Sequence, residues 1–408
     1  MRRELKELIK ILSQEENKEK VLREIVKSEL KKMIKDCLEE MALIEREAFC
    51  EEEGEVKNGF YERGIEGLFG RIEDFRVPRT GEGGFKPFFI KPYRKALYEL
   101  EELIIAMYQG GCSTRDISRT ISSLIGDKYS ASWVSKITDV LQEKVEAFRK
   151  RRIERWYPFI FLDGVVLKIR RGDVEGEVVY LTLGIDEDGY KEVLGFWIIG
   201  AEGESSQVWQ EILLELKERG LKEPLLFIGD GLKGLAEAIK EVYPQADFQS
   251  CILHKVRSTL SKARKRDREG IKEDLKRVYK QRDGDSFREA FAEFKSRWGR
   301  VYPEVVSSWE RELPYLMTYL RYPEEVRVYI YTTNPLERFI KEVKRRSKVI
   351  EVFPDPDATA KVIYLVSVEM NEKYRLKALK DFSLAKEELL SIRRAKYEVR
   401  EPCLTQNY

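Results

Sequence analysis

Three acidic residues stand where a bare carboxylate needs an explanation. Asp163 interrupts FIFLDGVVLKI, Phe159 to Ile169, an apolar run that predicts a strand buried on both faces of a sheet. Burying a carboxylate there costs several kcal/mol unless a cation or hydrogen bonds compensate it, so a working role explains Asp163 better than a structural one. Asp230 closes a second apolar run, LLFIGDG, where it could equally be a turn residue ahead of Gly231. Glu337 sits in TTNPLERFIK, three residues after Asn334. Those two residues, with Pro335 between them, form a capping box, and by local chemistry alone capping accounts for Glu337. Asp186 and Asp188 lie in the hairpin signal DEDG and Asp173 beside Gly172, contexts in which turn roles suffice.

Cys251 and His254, in CILHK, supply only two potential metal ligands, and His254 is the single histidine of the chain. A structural zinc site needs four ligands and no CxxC pair completes this one, so zinc is not expected. His254 also lacks a Ser or Cys partner at recognisable spacing for nucleophilic catalysis. The role left to it is to brace the acidic residues or to contact a ligand.

The elements that must position these acids can be read in order. Residues 1–57 are dense in Leu, Ile, Lys and Glu and predict two amphipathic helices, LKELIKIL and EIVKSELKKMIKDCLEEMALIE, a small helical region or a dimerisation element. Residues 58–93 carry frequent glycines with alternating aromatics and charges, predicting a strand-rich arm whose Arg71, Arg76 and Arg79 track phosphates or simply face solvent. Residues 94–152 predict a helix stopped by Gly110 and Gly111, a second helix capped by Ser113 with Asp116, and a third, WVSKITDVLQEKVEAF, capped by Ser130 or Ser132. That layout is a helix-turn-helix or a plain three-helix packing unit. In the first case Ser132, Trp133, Ser135 and Lys136 are the base-reading candidates.

From residue 153 to 254 the order is strand, strand, strand, helix, strand, helix, strand. This α/β order matches a ribonuclease H-like mixed five-stranded sheet, in which the first and fourth strands are neighbours. Asp163 and Asp230 then converge, and a helix packed across the sheet can deliver Glu337. Three such carboxylates can hold two Mg²⁺ ions at the spacing used for phosphoryl transfer. Residues 255–330 predict a helical basic insertion, residues 331–385 the last core helices, and residues 386–408 a loosely held polar tail. Between residues 255 and 300 there are 16 Lys or Arg against 8 Asp or Glu, an excess of eight in a chain whose net charge is only +2. An excess of that size in one segment favours a polyanion as partner.

Composition bounds the rest. With 408 residues, 42% hydrophobic, the chain has ample core for two to four domains. Its 36% of charged residues fits a nucleic-acid partner or an ion-paired thermophilic surface. No apolar stretch approaches the ~18 residues of a membrane span, and no signal-peptide pattern opens the chain. Five scattered cysteines read as reduced thiols and not as a disulfide framework, so a cytoplasmic, nucleoid-associated location is expected.

Four stretches, occurring in order, together resemble the Mutator-like DDE transposases of bacterial insertion sequences. They are FRVPRTGEGGFKP with MYQGGCSTRDISRTI and WVSKIT; FLDGVVLKIR with LTLGIDEDGYKEVLGFW; LLFIGDGLKGLAEAI with QSCILHKVRS; and TTNPLERFIKEVKRR. The match runs from about Gly70 to Tyr374. Carried over position by position, the resemblance implies that Asp163, Asp230 and Glu337 form a catalytic metal triad. It implies two Mg²⁺ ions, with Mn²⁺ able to substitute, double-stranded DNA as partner at terminal inverted repeats and target, and a homodimer. For Glu337 it puts metal binding above the capping role that local chemistry favours. Helical spacing aligns Glu337 with Lys341, Lys344 and Lys348, which with His254 and Lys255 are candidate DNA contacts. Gly229 departs from the family, which usually carries a hydroxyl residue there, and Ile252 stands where an aromatic residue or Val is common. The activity implied is Mg²⁺-dependent strand cleavage and strand transfer. The alternatives are a transposase-derived DNA-binding protein without catalysis, or another ribonuclease H-like nuclease.

Overall fold

The computed structural model describes residues 18–90, 97–125, 128–200, 206–231 and 234–398, and it divides into two compact units, Met1–Val140 and Leu141–Tyr408. The expected first helix LKELIKIL and the terminal EPCLTQNY lie outside the described residues.

The first unit begins with one long helix, α1 (Lys18–Glu53), followed by the antiparallel hairpin β1 (Lys57–Gly67) and β2 (Gly70–Thr80). Ile34 and Leu38 of α1 pack on Ile65, Ile72, Phe75 and Val77 of the hairpin, which gives the small strand pair the second layer it needs. The arm's arginines are engaged locally. Arg71 pairs with Glu66 and Glu73, while Arg76 and Arg79 lie over the rings of Phe60 and Tyr61. Helices α2 (Tyr98–Gln109), α3 (Thr114–Ile125) and α4 (Ala131–Thr138) follow, with Leu100, Ile104, Ile117, Ile121, Val134 and Ile137 buried. Both expected caps form: Ser113 Oγ accepts the Asp116 N–H at 3.1 Å, and Ser130 Oγ accepts that of Trp133 at 3.1 Å. The third predicted helix is not continuous. It is interrupted at Asp139 before α5 (Val140–Lys150), although Asp139 keeps right-handed helical dihedrals and its N–H still bonds the Ser135 carbonyl at 2.9 Å.

The second unit is built on a five-stranded mixed sheet in the order β5-β4-β3-β6-β7. Strands β3 (Phe159–Arg171), β4 (Asp173–Ile185) and β5 (Lys191–Ile198) form an antiparallel meander, as the three predicted strands require. Beyond α6 (Ser206–Glu218), strand β6 (Leu226–Gly229) pairs parallel with β3. Beyond α7 (Leu235–Val242), β7 (Asp247–Ser250) pairs parallel with β6. The expected neighbourhood of first and fourth strands is therefore real. At the β4–β5 turn, Gly189 has φ +84° and a Cβ there would meet Phe382 at 2.8 Å, so only glycine fits the DEDG hairpin.

One expectation about β3 needs correction. The strand is buried on both faces only from Phe159 to Asp163, and after that it alternates, with Val166 and Lys168 exposed. The reason is the length of its partner. β6 covers only Phe159 to Leu162, and beyond it β3 keeps β4 on one side and a single bridge to Phe353. Asp163 thus sits at the boundary where the sheet loses a neighbour.

Helices α8 (Ile252–Lys262), α9 (Arg268–Val278), α10 (Gly284–Trp298), α11 (Pro303–Leu316) and α12 (Glu324–Ile330) fill the long segment after β7. Then come α13 (Asn334–Ile350), α14 (Pro356–Arg375) and α15 (Lys386–Tyr397). α6 and α7 bury Trp209, Ile212, Leu213, Leu216 and Ile239 against Ile160, Leu162 and Phe227. α14 packs on β5, where Asn371 accepts the Val193 N–H at 2.7 Å beside the bulge between β4 and β5. That side chain satisfies a backbone donor the irregular register leaves free. The expected loose tail is docked as far as α15. Leu389 is buried, Arg393 lies over Trp156 and bonds Glu223, and the Tyr397 hydroxyl donates to the Pro224 carbonyl at 2.6 Å. Three anchors at i, i+4 and i+8, one apolar, one cationic and one aromatic, hold a segment whose average polarity suggested otherwise. Among the described residues, no helix is long and apolar enough to cross a membrane.

Candidate active site

Asp163 is 6% exposed, and its Oδ1 accepts the N–H of Gly164 at 2.8 Å. Burial pushes its carboxyl up to about 6; the charges of Asp230 and Glu337 add to that, while the Gly164 N–H and His254 offset part of it. Asp230 is the first residue past β6, where the chain leaves the sheet and the Gly231 N–H caps Oδ1 at 2.7 Å. A Cβ at Gly229 would stand 2.6 Å from Leu235 Cδ2, so a larger residue there would have to displace the end of that buried leucine.

Glu337 reaches the same end of the sheet from the first turn of α13, and the capping box does not form. The helix is capped at Thr333, without a side-chain hydrogen bond, and the backbone N–H of Glu337 bonds the Thr333 carbonyl at 2.8 Å. Asn334 has moved one place inside the helix, so the box spacing from Asn334 to Glu337 is lost. The Glu337 carboxylate turns instead to Arg257, whose Nη1 donates to Oε1 at 2.8 Å.

His254 joins the acids. Its Nδ1 lies 3.3 Å from Asp230 Oδ2 and its Nε2 lies 3.5 Å from Glu337 Oε1, ion-pair contacts at the edge of hydrogen-bonding range. The Asp230 carboxylate beside it raises the imidazole above its ordinary value against the opposing effect of burial, with Asp163 and Glu337 adding to the rise. On Asp230 burial acts upward, but the His254 contact, the Gly231 N–H and Arg257 together leave it below the usual carboxylate range. α8 delivers both partners of the acids, because His254 and Arg257 are three residues apart on one helical face. Arg257 was not anticipated from the sequence; its i, i+3 spacing from His254 was the available signal. Cys251 points elsewhere. It is buried, its Sγ lies 3.4 Å from Thr333 Oγ1, and it shares no site with His254.

The donor chemistry fits a hard divalent cation: three carboxylates, one of them buried with no side-chain hydrogen-bond donor among the described residues. Among those residues no three His, Cys, Asp or Glu side chains gather closely enough to ligate one ion. Asp230 and Glu337 are drawn instead onto His254 and Arg257.

The other anticipated residues divide. Lys341, Lys344 and Lys348 are exposed along α13, beyond Glu337. Lys255 turns inward, where its ammonium donates to Ser308 Oγ at 2.6 Å and pairs with Glu312, tying α8 to α11. In the first unit, Ser132 and Lys136 are exposed on α4, and Trp133 packs against Tyr129 at a tilt, with ring centroids 4.7 Å apart.

Comparison with known proteins gives one answer. A family model described as "Transposase, Mutator family" matches residues 2–377. The transposase of insertion sequence element IS1201 from Lactobacillus helveticus is 35% identical over 301 residues, 74% of this chain and 81% of that protein. That of IS905 from Lactococcus lactis is 33% identical over 339 residues, covering 83% and 86%. The transposase of IS256 in transposon Tn4001 from Staphylococcus aureus is 29% identical over 326 residues, covering 78% and 82%.

Proposed function

The chain belongs to the Mutator family of transposases, and from that premise we propose that it cuts and joins DNA with Asp163, Asp230 and Glu337 as its acidic centre. The observation that carries the reading is the meeting of the three carboxylates with His254 and Arg257 at one end of the β3–β6 pair. We read the five-stranded sheet as a ribonuclease H-like core, α2 to α4 as a helix-turn-helix that holds terminal inverted repeats, and residues 255–330 as a helical insertion.

Asp163, Asp230 and Glu337 would hold two Mg²⁺ ions, which supply Lewis acidity and neutralise charge on the scissile phosphate. The protein's own groups prepare that centre. The N–H groups of Gly164 and Gly231 fix Oδ1 of the two aspartates, and Arg257 fixes the direction of Glu337. His254 lies between Asp230 and Glu337, 3.3 Å from one and 3.5 Å from the other, where its imidazole can bridge the two acids. Lys341, Lys344 and Lys348 offer ammonium groups to the phosphates on either side of the cut. Water attacks a phosphodiester, breaking its P–O3′ bond to free a 3′-hydroxyl and leave a 5′-phosphate. That hydroxyl then attacks a phosphodiester of target DNA, joining to its phosphorus as the target strand's own 3′-hydroxyl departs.

The direct test uses the element's own ends as substrate with Mg²⁺. Asp230→Asn is expected to lower strand cleavage by at least about 10³-fold while leaving binding of the ends intact. Cleavage at the wild-type rate would remove Asp230 from the centre. An uncleaved substrate with the wild-type protein would favour a binding protein without catalysis. A second measurement addresses the phosphate contacts. Changing Lys341, Lys344 and Lys348 together to Ala is expected to flatten the dependence of log K on log salt by roughly 2–3, since each lost contact removes about 0.9. An unchanged slope would take α13 away from the DNA.

A further inference from the structure

Helix α1 carries two apolar faces, and among the described residues only one of them is covered. Ile34, Leu38 and Ala42 face the hairpin. On another side of the same helix, Leu22, Val26, Met33, Cys37, Ile44 and Ala48 are all exposed, Met33 at 66% and Ile44 at 60%. At 3.6 residues per turn these six lie within a sector of about 80°. They recur at eleven residues, Leu22–Met33–Ile44 and Val26–Cys37–Ala48. Eleven residues over three turns is 3.67 per turn, so the stripe runs almost straight along an undistorted helix. A solvated helix has no reason to keep such a stripe over some seven turns. At its N-terminal end the stripe borders an open cleft of about 850 Å³, lined by Leu22, Val26, Leu30, Leu68, Phe69 and Leu124.

We infer that the exposed stripe of α1 is a two-fold interface in which a second copy of the chain lays its own α1 antiparallel to the first. Two observations select that partner and that direction. Reversing the helix about residue 35 maps the stripe onto itself: 22 meets 48, 26 meets 44 and 33 meets 37, each pair summing to 70, and every one of these positions is apolar or cysteine. The charge is also split end from end. Residues 18–35 hold seven Lys or Arg against three Glu, a net +4, and residues 36–53 hold one Arg against eight Asp or Glu, a net −7. Antiparallel pairing sets each half beside its opposite over a helix of 36 residues, about 54 Å, whereas parallel pairing sets like beside like. A self-complementary patch of this kind closes as a dimer and does not propagate.

The experiment uses the full chain without DNA, so its outcome is independent of the acidic centre. Sedimentation equilibrium should find a dimer at micromolar concentration. The Met33→Lys/Ile44→Lys double variant should raise the dissociation constant at least 100-fold with far-UV circular dichroism unchanged, because both side chains are exposed in the protomer. Direction is read by cross-linking in a background of Cys50→Ser, Cys112→Ser and Cys403→Ser. Met33→Cys should form a disulfide with Cys37 of a second copy under mild oxidation, and adding Cys37→Ser should abolish it. A monomeric wild type at tens of micromolar, as when the chain's own first seventeen residues cover the stripe, overturns the interface. So does unchanged association in the double variant. A cross-link that survives Cys37→Ser overturns the antiparallel direction.

Discussion

Asp163→Asn is expected to yield a protein that is inactive and more stable than the wild type. The carboxyl is 6% exposed and burial raises it to about 6 from an ordinary 3.8. A raised acid binds its proton more tightly in the folded state, so this group's contribution to stability falls as pH rises from about 4 to about 6 and stays low above that. The difference of about two pK units corresponds to roughly 2–3 kcal/mol at pH 7. The amide is isosteric, keeps an Oδ1 that can accept the Gly164 N–H, and carries no charge to desolvate. Strand cleavage should drop by at least about 10³-fold. Urea titrations of both proteins at pH 4 and pH 7 check the stability half: the midpoints should nearly coincide at pH 4 and separate at pH 7. An Asp163→Asn protein less stable than wild type at pH 7 would mean that the carboxylate is compensated in the folded protein and is not a strained functional group.

Glu337→Gln and Asn334→Ala should behave oppositely to what local sequence chemistry implies. If the two residues formed a capping box, either change would cost about 1 kcal/mol and neither would matter specifically to catalysis. The observed helix instead starts at Thr333, Asn334 makes no cap bond, and Glu337 faces Arg257 and His254. Asn334→Ala is therefore expected to change stability by less than about 0.5 kcal/mol and to leave cleavage near wild type. Glu337→Gln is expected to abolish cleavage, by about 10³-fold or more, with DNA binding retained. Denaturant midpoints and single-turnover cleavage on the same two variants decide the matter. Equal and modest effects on both would restore the capping role.

Secondary structure was legible because it is local. Alternation and apolar runs specified the three-strand meander, the short parallel strands ending near Asp230 and Ser250, and the helices that follow; that β3 and β6 are neighbours was expected from the fold their order matched. The special position of Asp163 was also readable, since an acid within an apolar strand is conspicuous wherever the strand goes. The docked helix α15 was missed because averaged polarity hides three anchors, Leu389, Arg393 and Tyr397, that matter only against their targets.

What the chain could not reveal locally was where side chains point once distant segments meet. Glu337 and Arg257 are 80 positions apart, and whether that acid serves its own helix or a neighbour is decided by a one-residue difference in where α13 begins. Lys255 and Arg257 are near neighbours on one helix, yet one is drawn to Ser308 and Glu312 and the other to the acids. Sequence alone determined the strands, their order and the presence of an acid in the buried run. Only the tertiary structure determined that Asp163 sits where β6 stops covering β3, and that Asp230, Glu337, His254 and Arg257 gather beside it. The reason is range: backbone patterns repeat within a turn or a strand, while a carboxylate's partner is chosen by packing across the whole unit.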